Sequence, residues 1–299
     1  MDFFLSLLLL NILKSCSVIT FPPKNHVVYQ NMHKRVYHNH NHPDFFTDNE
    51  YDKENMKLIT ISPGGFNGFY MMGIVSFIKD HYNLTNFIFS GASAGAWNAV
   101  VFSYKYNASD LIDILFDDRN DANTRTSSLF PLPNKKNKHF ILDLENSIKN
   151  RILDKFSSAD FNLDRLFIGM TTLQCNGFKT HIYNDFENLG DALDACFASS
   201  HIPFLTGNVL LKYKGKYYVD GGFSSYPYFA YMKPILEITP SIWKRMDIYT
   251  RPRFSNWGSV EEYTTLFSSD KMNFTQLFLN GYNDALINKP FLDSIFVNN

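Results

Sequence analysis

The stretch from Phe87 to Tyr104, FIFSGASAGAWNAVVFSY, constrains the fold of this chain more than any other. Phe87, Ile88 and Phe89 form a short, β-rich apolar run, and Ala94 to Tyr104 has the spacing of a helix. Between them, Gly91-Ala92-Ser93-Ala94-Gly95 must turn the chain sharply. Glycines at its edges permit a tight backbone. A serine at the apex, after a strand and before a helix, has its hydroxyl exposed as a nucleophile requires. The small alanines leave the approach open.

The same rhythm occurs just upstream. Leu58 to Ser62, LITIS, reads as a buried strand, Pro63-Gly64-Gly65 as a turn, and Phe69 to Asp80 as a helix. Two strand-turn-helix units in close succession argue for a parallel sheet flanked by helices. Further helices are expected over Ser109–Phe116, Phe140–Phe156 and Leu189–Ala198, the last ending before Pro203. Strands are expected over Leu166–Thr172 and Phe178–Tyr183, around a turn at Asn176-Gly177, and over Lys216–Val219. Asp117 to His139 reads as a long polar loop, a type that often serves as a lid or binding loop. Helical spacing returns at Tyr263, Leu266, Phe267, Phe274, Leu277, Phe278 and Leu286. A chain of 299 residues, 45% hydrophobic, suffices for one large α/β domain and is thin for two. The expected organisation is a domain over 57–286, with a C-terminal tail at 287–299.

Two segments precede that domain. Phe3 to Leu13, FFLSLLLLNIL, is too short to span a bilayer comfortably and fits a signal-peptide core. Ser15 and Ser17 suit cleavage before Val18, so 1–17 is expected to be a signal peptide. Secretion or delivery to the secretory lumen, with or without membrane association, would follow. The missing basic residue before Lys14 disagrees, and an apolar helix kept on the mature protein is the alternative. Residues 18–56 read as a polar Asn/His-rich leader. His38, His40 and His42 alternate there, and a solvated stretch explains them better than a metal site. The sequons at Asn83, Asn107 and Asn273 carry little weight in a chain this rich in Asn.

Composition removes several functions. A net charge of −1 gives no basic excess of the kind that nucleic-acid binders gather on one face. Cys16, Cys175 and Cys196 show no CxxC spacing, so no structural zinc is expected. Cys175 and Cys196 read better as separate buried thiols than as a disulfide.

Ser93 needs a base. His139, His181 and His201 follow it, but none sits in an obvious loop at a strand end. Asp220 does: it ends a strand and precedes Gly221 and Gly222, whose bare backbone lets another segment approach the carboxylate. On residues alone, Asp220 is equally a general base or an aspartate capping its own turn. Acyl transfer also requires donors for an oxyanion, which the backbone of Gly64, Gly65 and Phe66 can supply. A phosphate cradle is the competitor there, but no dinucleotide G-x-G-x-x-G pattern and no Walker lysine-serine pair are present.

Pro63-Gly64-Gly65-Phe66-Asn67-Gly68, Gly91-Ala92-Ser93-Ala94-Gly95 and Asp220-Gly221-Gly222, in this order and spacing, resemble the patatin-like phospholipases. Cys196 to Leu205 (CFASSHIPFL), Tyr218-Val219-Asp220-Gly221-Gly222 and Gly281-Tyr282-Asn283-Asp284-Ala285 resemble the adiponutrin subgroup. The resemblance covers about Lys57 to Leu286. It implies a three-layer α/β/α fold with a mainly parallel sheet, and hydrolysis of lipid esters at a membrane or micelle interface without metal or cofactor. It implies a Ser93–Asp220 dyad, an oxyanion hole at Gly64, Gly65 and Phe66, and supporting glycines at Gly91, Gly95, Gly221 and Gly222. Two positions depart from the family pattern. Pro63 stands where a glycine is common and donates no N–H. Asn67 stands where plant and bacterial members often carry a basic residue. Phe69, Tyr70, Met71 and Met72 would line an acyl groove or simply pack in the core. Lys135, Lys136 and Lys138 would meet anionic lipid or lie in a solvated loop. The competing functions are a catalytically silent lipid- or partner-binding module on the same fold and a Ser-His-Asp esterase. Oligomeric state is not readable from the sequence.

Overall fold

The two strand-turn-helix units form the centre of the structure, a computed structural model in which residues 56–116, 140–174, 177–203, 206, 210–224, 233–243 and 274–297 are described. Residues 48–173 and 178–299 form one compact unit; the other, Met1–Thr47 with Gln174–Gly177, lies almost wholly outside the described residues. The expected signal peptide, the leader with its histidines, Cys16 and Cys175 fall outside them too. So do the loop carrying His139 and Lys135, Lys136 and Lys138, and the positions Tyr263, Leu266 and Phe267.

Strand β1 (Lys57–Ile61) leads through a short 3₁₀ turn (Gly65–Asn67) into helix α1 (Gly68–His81). Strand β2 (Phe87–Ala92) leads into α2 (Ala94–Ser103), followed by α3 (Ala108–Phe116) and α4 (Phe140–Lys155). Strands β3 (Leu166–Gln174) and β4 (Gly177–Tyr183), helix α5 (Leu189–Ser199) and the short strands β5 (Leu211–Tyr213) and β6 (Lys216–Tyr218) come next. Strand β7 (Leu236–Ile238) and helices α6 (Phe274–Ile287) and α7 (Lys289–Phe296) complete the described elements.

The main sheet has the order β4-β3-β2-β1-β7. β1 pairs in parallel with β2 and β7, and β2 in parallel with β3. A parallel sheet is covered on both faces, so its strands are apolar throughout rather than alternating. Here Ile59, Ile61, Phe89, Leu166 and Ile168 enter the main core, while Leu58, Ile88 and Phe167 pack with Met56 in a second cluster. The mainly parallel sheet flanked by helices is the three-layer arrangement expected.

Helices α1 and α6 approach until backbones touch. A methyl group on Gly73 would lie 2.0 Å from the Phe278 carbonyl oxygen, and one on Gly281 would lie 1.9 Å from that of Tyr70. The Tyr70 hydroxyl donates to Asp284 across the same seam. Helix α7 follows at once, and its Leu292 and Ile295 are buried in the main core. The segment read as a tail beyond residue 286 therefore contains a core-forming helix. Its Pro290 lies in the first turn, where the missing N–H costs nothing.

Two further details go beyond the sequence reading. The expected strand at Lys216–Val219 pairs antiparallel with β5 over Lys216–Tyr218, through Lys214 and Gly215, both at positive φ, and Val219 bridges Thr171 of β3. Such a φ pair matches the natural twist of a two-residue hairpin. Strand β7 was not anticipated, because three residues carry too little periodicity to read.

The crowding between α1 and α6 yields a stability prediction. Gly281→Ala should destabilise the fold by about 1–3 kcal/mol or more, because the clash is with backbone rather than a flexible side chain. Urea denaturation would show it as a lower midpoint with unchanged slope; an unshifted midpoint would mean that the helices do not touch there.

Candidate active site

The ends of the parallel strands bring the predicted residues together. β1 and β2 are in register at Ile61 and Gly91, and β2 and β3 at Ala92 and Gly169. The chain leaving β1 carries Pro63 to Phe66, and the chain leaving β2 carries Ser93. Crevices beyond the carboxyl ends of such strands are the usual ligand sites of α/β sheets.

Ser93 sits between β2 and α2 with φ 54° and ψ −130°, a conformation that few non-glycine residues adopt. The surrounding backbone leaves no room for a gentler turn. A methyl group on Gly91 would lie 2.1 Å from the Gly95 carbonyl oxygen, and one on Gly95 would lie 2.3 Å from that of Ile61. These glycines are required by close approach. The Ser93 N–H donates to Ser199 Oγ at 2.7 Å, and Ser199 Oγ donates to the Gly169 carbonyl at 2.6 Å. The elbow is thus pinned to both α5 and β3.

Asp220 reaches the elbow by a lateral pairing. Val219 exchanges two backbone hydrogen bonds with Thr171 of β3, and the Asp220 N–H donates to the His201 carbonyl at 2.7 Å. Gly221 then fits between Gly169 and Ala92, where a side chain would lie 2.4 Å from the Gly169 carbonyl oxygen. The outcome is a buried contact: Ser93 Oγ donates to Asp220 Oδ2 at 2.6 Å. The Gly222 N–H donates to Asp220 Oδ1 at 2.7 Å. Burial pushes the Asp220 carboxyl up to about 6, against the opposing pull of the bonds from Ser93 and Gly222. One Asp220 oxygen thus caps its own turn, and the other accepts from the serine.

The loop after β1 lies against both residues. A side chain on Gly222 would lie 3.2 Å from the Pro63 ring, and one on Gly68 would lie 2.8 Å from Ala94 Cβ. Asn98 of α2 is buried and donates to the carbonyls of Gly68 and Ala94, tying this loop to the elbow helix. Gly65 takes φ 51° in the 3₁₀ turn. Among the described residues the N–H groups of Gly64 and Gly65 have no protein acceptor. Phe66 is buried, with its ring 5.2 Å from that of Phe274.

The other candidates lie elsewhere. His201 is buried with Nδ1 3.0 Å from Thr206 Oγ1, and it reaches the pair through its backbone carbonyl. His181 is half-buried, with its ring 5.9 Å from that of Tyr218. Phe69, Met71 and Met72 are buried core residues and Tyr70 binds Asp284, so this run is packing rather than an open groove. Cys196 is a free buried thiol.

Sequence reading missed three partners of the site. Ser199 holds the Ser93 amide, and Ser200 beside it contacts Glu145 of α4. Glu145 is buried, and its carboxyl is pushed up to about 8 by burial, with Asp220 raising it further against its hydrogen-bond contacts with Ser200 and Trp97. A signal existed: Glu145 occupies the i+4 position of the apolar series Ile141, Ile148 and Ile152.

A family model described as patatin-like phospholipase matches residues 59–230, more than half of the chain. Over 255 residues the chain is 26% identical to mouse "1-acylglycerol-3-phosphate O-acyltransferase Pnpla3", covering 79% of this chain and 59% of that protein. Over 265 residues it is 22% identical to human "Omega-hydroxyceramide transacylase", covering 83% and 48%. It is 28% identical over 183 residues to "Uncharacterized protein R571" of Acanthamoeba polyphaga mimivirus, covering 59% and 61%. The chain spans about half the length of the curated relatives it matches.

The buried carboxylate has a measurable cost. Between 3.8 and about 6, Asp220 binds more protons folded than unfolded, so stability falls as pH rises through that window. At 1.36 kcal/mol per pH unit the loss is about 3 kcal/mol at neutral pH. Asp220→Asn should therefore be more stable than wild type at pH 7.5, with the gain shrinking toward zero as pH falls to 4. Thermal unfolding across this range measures it, and a variant less stable at pH 7.5 would contradict a buried charge.

Proposed function

The chain belongs to the patatin-like phospholipase family, and on that footing we propose that it is a lipid acyl hydrolase with Ser93 as nucleophile and Asp220 as general base. The observation that carries the reading is the buried Ser93 Oγ to Asp220 Oδ2 hydrogen bond. Geometry comes first for a general base, and this carboxylate is already in reach of the proton it must take. A value near 6 leaves it largely ionised at neutral pH yet more basic than an ordinary aspartate.

In this mechanism Ser93 Oγ attacks the acyl carbonyl carbon while its proton passes to Asp220. The C=O π electrons move to the oxygen, which becomes the oxyanion. The N–H groups of Gly64 and Gly65, together with that of Phe66, are its proposed donors, and the head of α2 adds a favourable dipole. Collapse of the tetrahedral species breaks the ester bond, and the leaving alcohol takes the proton from Asp220. Water then attacks the acyl-enzyme, gives its proton to Asp220, and releases the fatty acid as Ser93 regains a proton. The steps balance with two side chains, backbone amides and water.

The acyl-enzyme has a second possible acceptor. Relatives are named as an acyltransferase and a transacylase. An alcohol group of another lipid in place of water would give transfer instead of hydrolysis by the same first half-reaction. The substrate is proposed to be a lipid ester presented at an interface, with phospholipid, lysophospholipid and acylglycerol as the classes to compare.

The test uses the purified full chain with these three classes in micelles, with and without an added acceptor alcohol. Ser93→Ala and Asp220→Asn should each lower kcat by about 10³-fold or more, in line with loss of a nucleophile or its base. Wild-type activity should rise with pH through about 6 as Asp220 ionises. Intact turnover in Ser93→Ala would refute the nucleophile. A folded wild type that cleaves none of the three would favour the lipid- or partner-binding module.

A further inference from the structure

We propose that Glu145 is a positioning residue for the Ser93–Asp220 pair, acting in its protonated form by donating a hydrogen bond to Ser200 at the end of α5. This rests on the catalytic reading of Ser93 and Asp220 given above. Three consecutive residues at that helix end reach three parts of the site. Ser199 Oγ accepts from the Ser93 amide, Ser200 Oγ contacts Glu145, and the His201 carbonyl accepts from the Asp220 amide. Whatever holds Ser200 therefore holds the supports of both nucleophile and base. A misplacement of about 1 Å at such a distance from the chemistry can cost on the order of 10²-fold in rate.

The hydrogen count identifies the protonation state. Ser200 Oγ has three neighbours: Trp97 Nε1 at 3.2 Å, the Cys196 carbonyl at 2.8 Å and Glu145 Oε1. Trp97 can only donate and the carbonyl can only accept. A serine hydroxyl has one proton, so all three contacts are satisfied together only when Glu145 donates. The surroundings agree. Glu145 lines a cavity of about 170 Å³ with Leu142, Phe197, His201, Thr206 and Leu211, and among the described residues no lysine or arginine lines it.

Ionisation of Glu145 would change this arrangement. Ser200 would turn its hydroxyl proton to the carboxylate, leaving the Cys196 carbonyl only the Ser200 N–H, and a second negative charge would stand near Asp220. The titratable groups facing Glu145 are Asp220, Cys196 on α5 and His201 on the shared cavity wall. Farther out, Lys149 of α4 pairs with Asp194 of α5. Glu145 is pushed up to about 8, so it is neutral where Asp220 is charged and becomes charged only at higher pH. Activity is thus bounded below by Asp220 and above by Glu145.

The experiment measures kcat and KM on an ester substrate, and separately the rate of Ser93 labelling by a fluorophosphonate, between about pH 5 and 10 with the full chain. Wild type should lose activity above about pH 8. Glu145→Gln keeps a donor and cannot ionise, so its alkaline fall should vanish while the acid limb near 6 stays. Glu145→Ala loses the donor and should lower kcat by about 10- to 100-fold with KM changed far less. An alkaline limb in Glu145→Gln identical to that of wild type would overturn the proposal, as would wild-type kcat in Glu145→Ala. Should Glu145→Ala fail to fold, the Glu145→Gln profile decides alone. Failure of the catalytic reading is separate: it shows as turnover that survives Ser93→Ala, or as no labelling at residue 93.

Discussion

A hydroxyl and a carboxylate held 2.6 Å apart inside the protein are the contact on which the rest of this structure depends. Neither group would occupy that place by preference. Ser93 takes a backbone conformation that costs strain. Asp220 gives up water for two hydrogen bonds, and a buried carboxylate is costly unless its oxygens are satisfied. The scaffold stabilises both by crowding backbone on backbone. Around the pair, Gly91, Gly95 and Gly221 leave no room for a side chain, and each marks a meeting of two strand ends or of a strand end with a helix.

The same economy explains why the site lies at one end of the sheet. Parallel strands in register deliver their carboxyl ends to one edge, and the chains leaving β1 and β2 both turn into helices there. Helix starts carry unsatisfied N–H groups, which suit a developing negative charge. Around this centre α5 acts as a support: its last serine holds the Ser93 amide, and the carbonyl two residues on holds the Asp220 amide. Asn98 does the corresponding task for the loop after β1. Departures from the family pattern are absorbed here. Pro63 lacks an N–H but packs beside Gly222, while the N–H groups of Gly64 and Gly65 have no protein acceptor among the described residues.

Membership of the patatin-like phospholipases rests on a match across residues 59–230, and relatives at 26% identity extend over most of the chain. The elbow, the glycine loop and the Asp-Gly-Gly turn are each set by steric limits at a close approach.

The local pieces were legible in the chain: the strand-turn-helix units at Leu58 and Phe87, the serine at a sharp turn, and the glycines that permit it. Strong periodicity and punctuation by glycine and proline are local signals, so α1, α2, β1 and β3 could be read almost to their ends, and β2 over Phe87 to Phe89. That Asp220 faces Ser93 follows from the fold alone, because the contact joins residues 127 positions apart. The fold likewise decided that Lys216–Tyr218 forms a separate hairpin, that α7 belongs to the core, and that Met71 packs inward. Pairing partners and burial depend on which distant segment arrives, and no window of neighbouring residues contains that information. Glu145 lies between the two cases. Its place on an apolar stripe was legible, but its protonation follows from Ser200, Trp97 and the Cys196 carbonyl meeting at one oxygen atom.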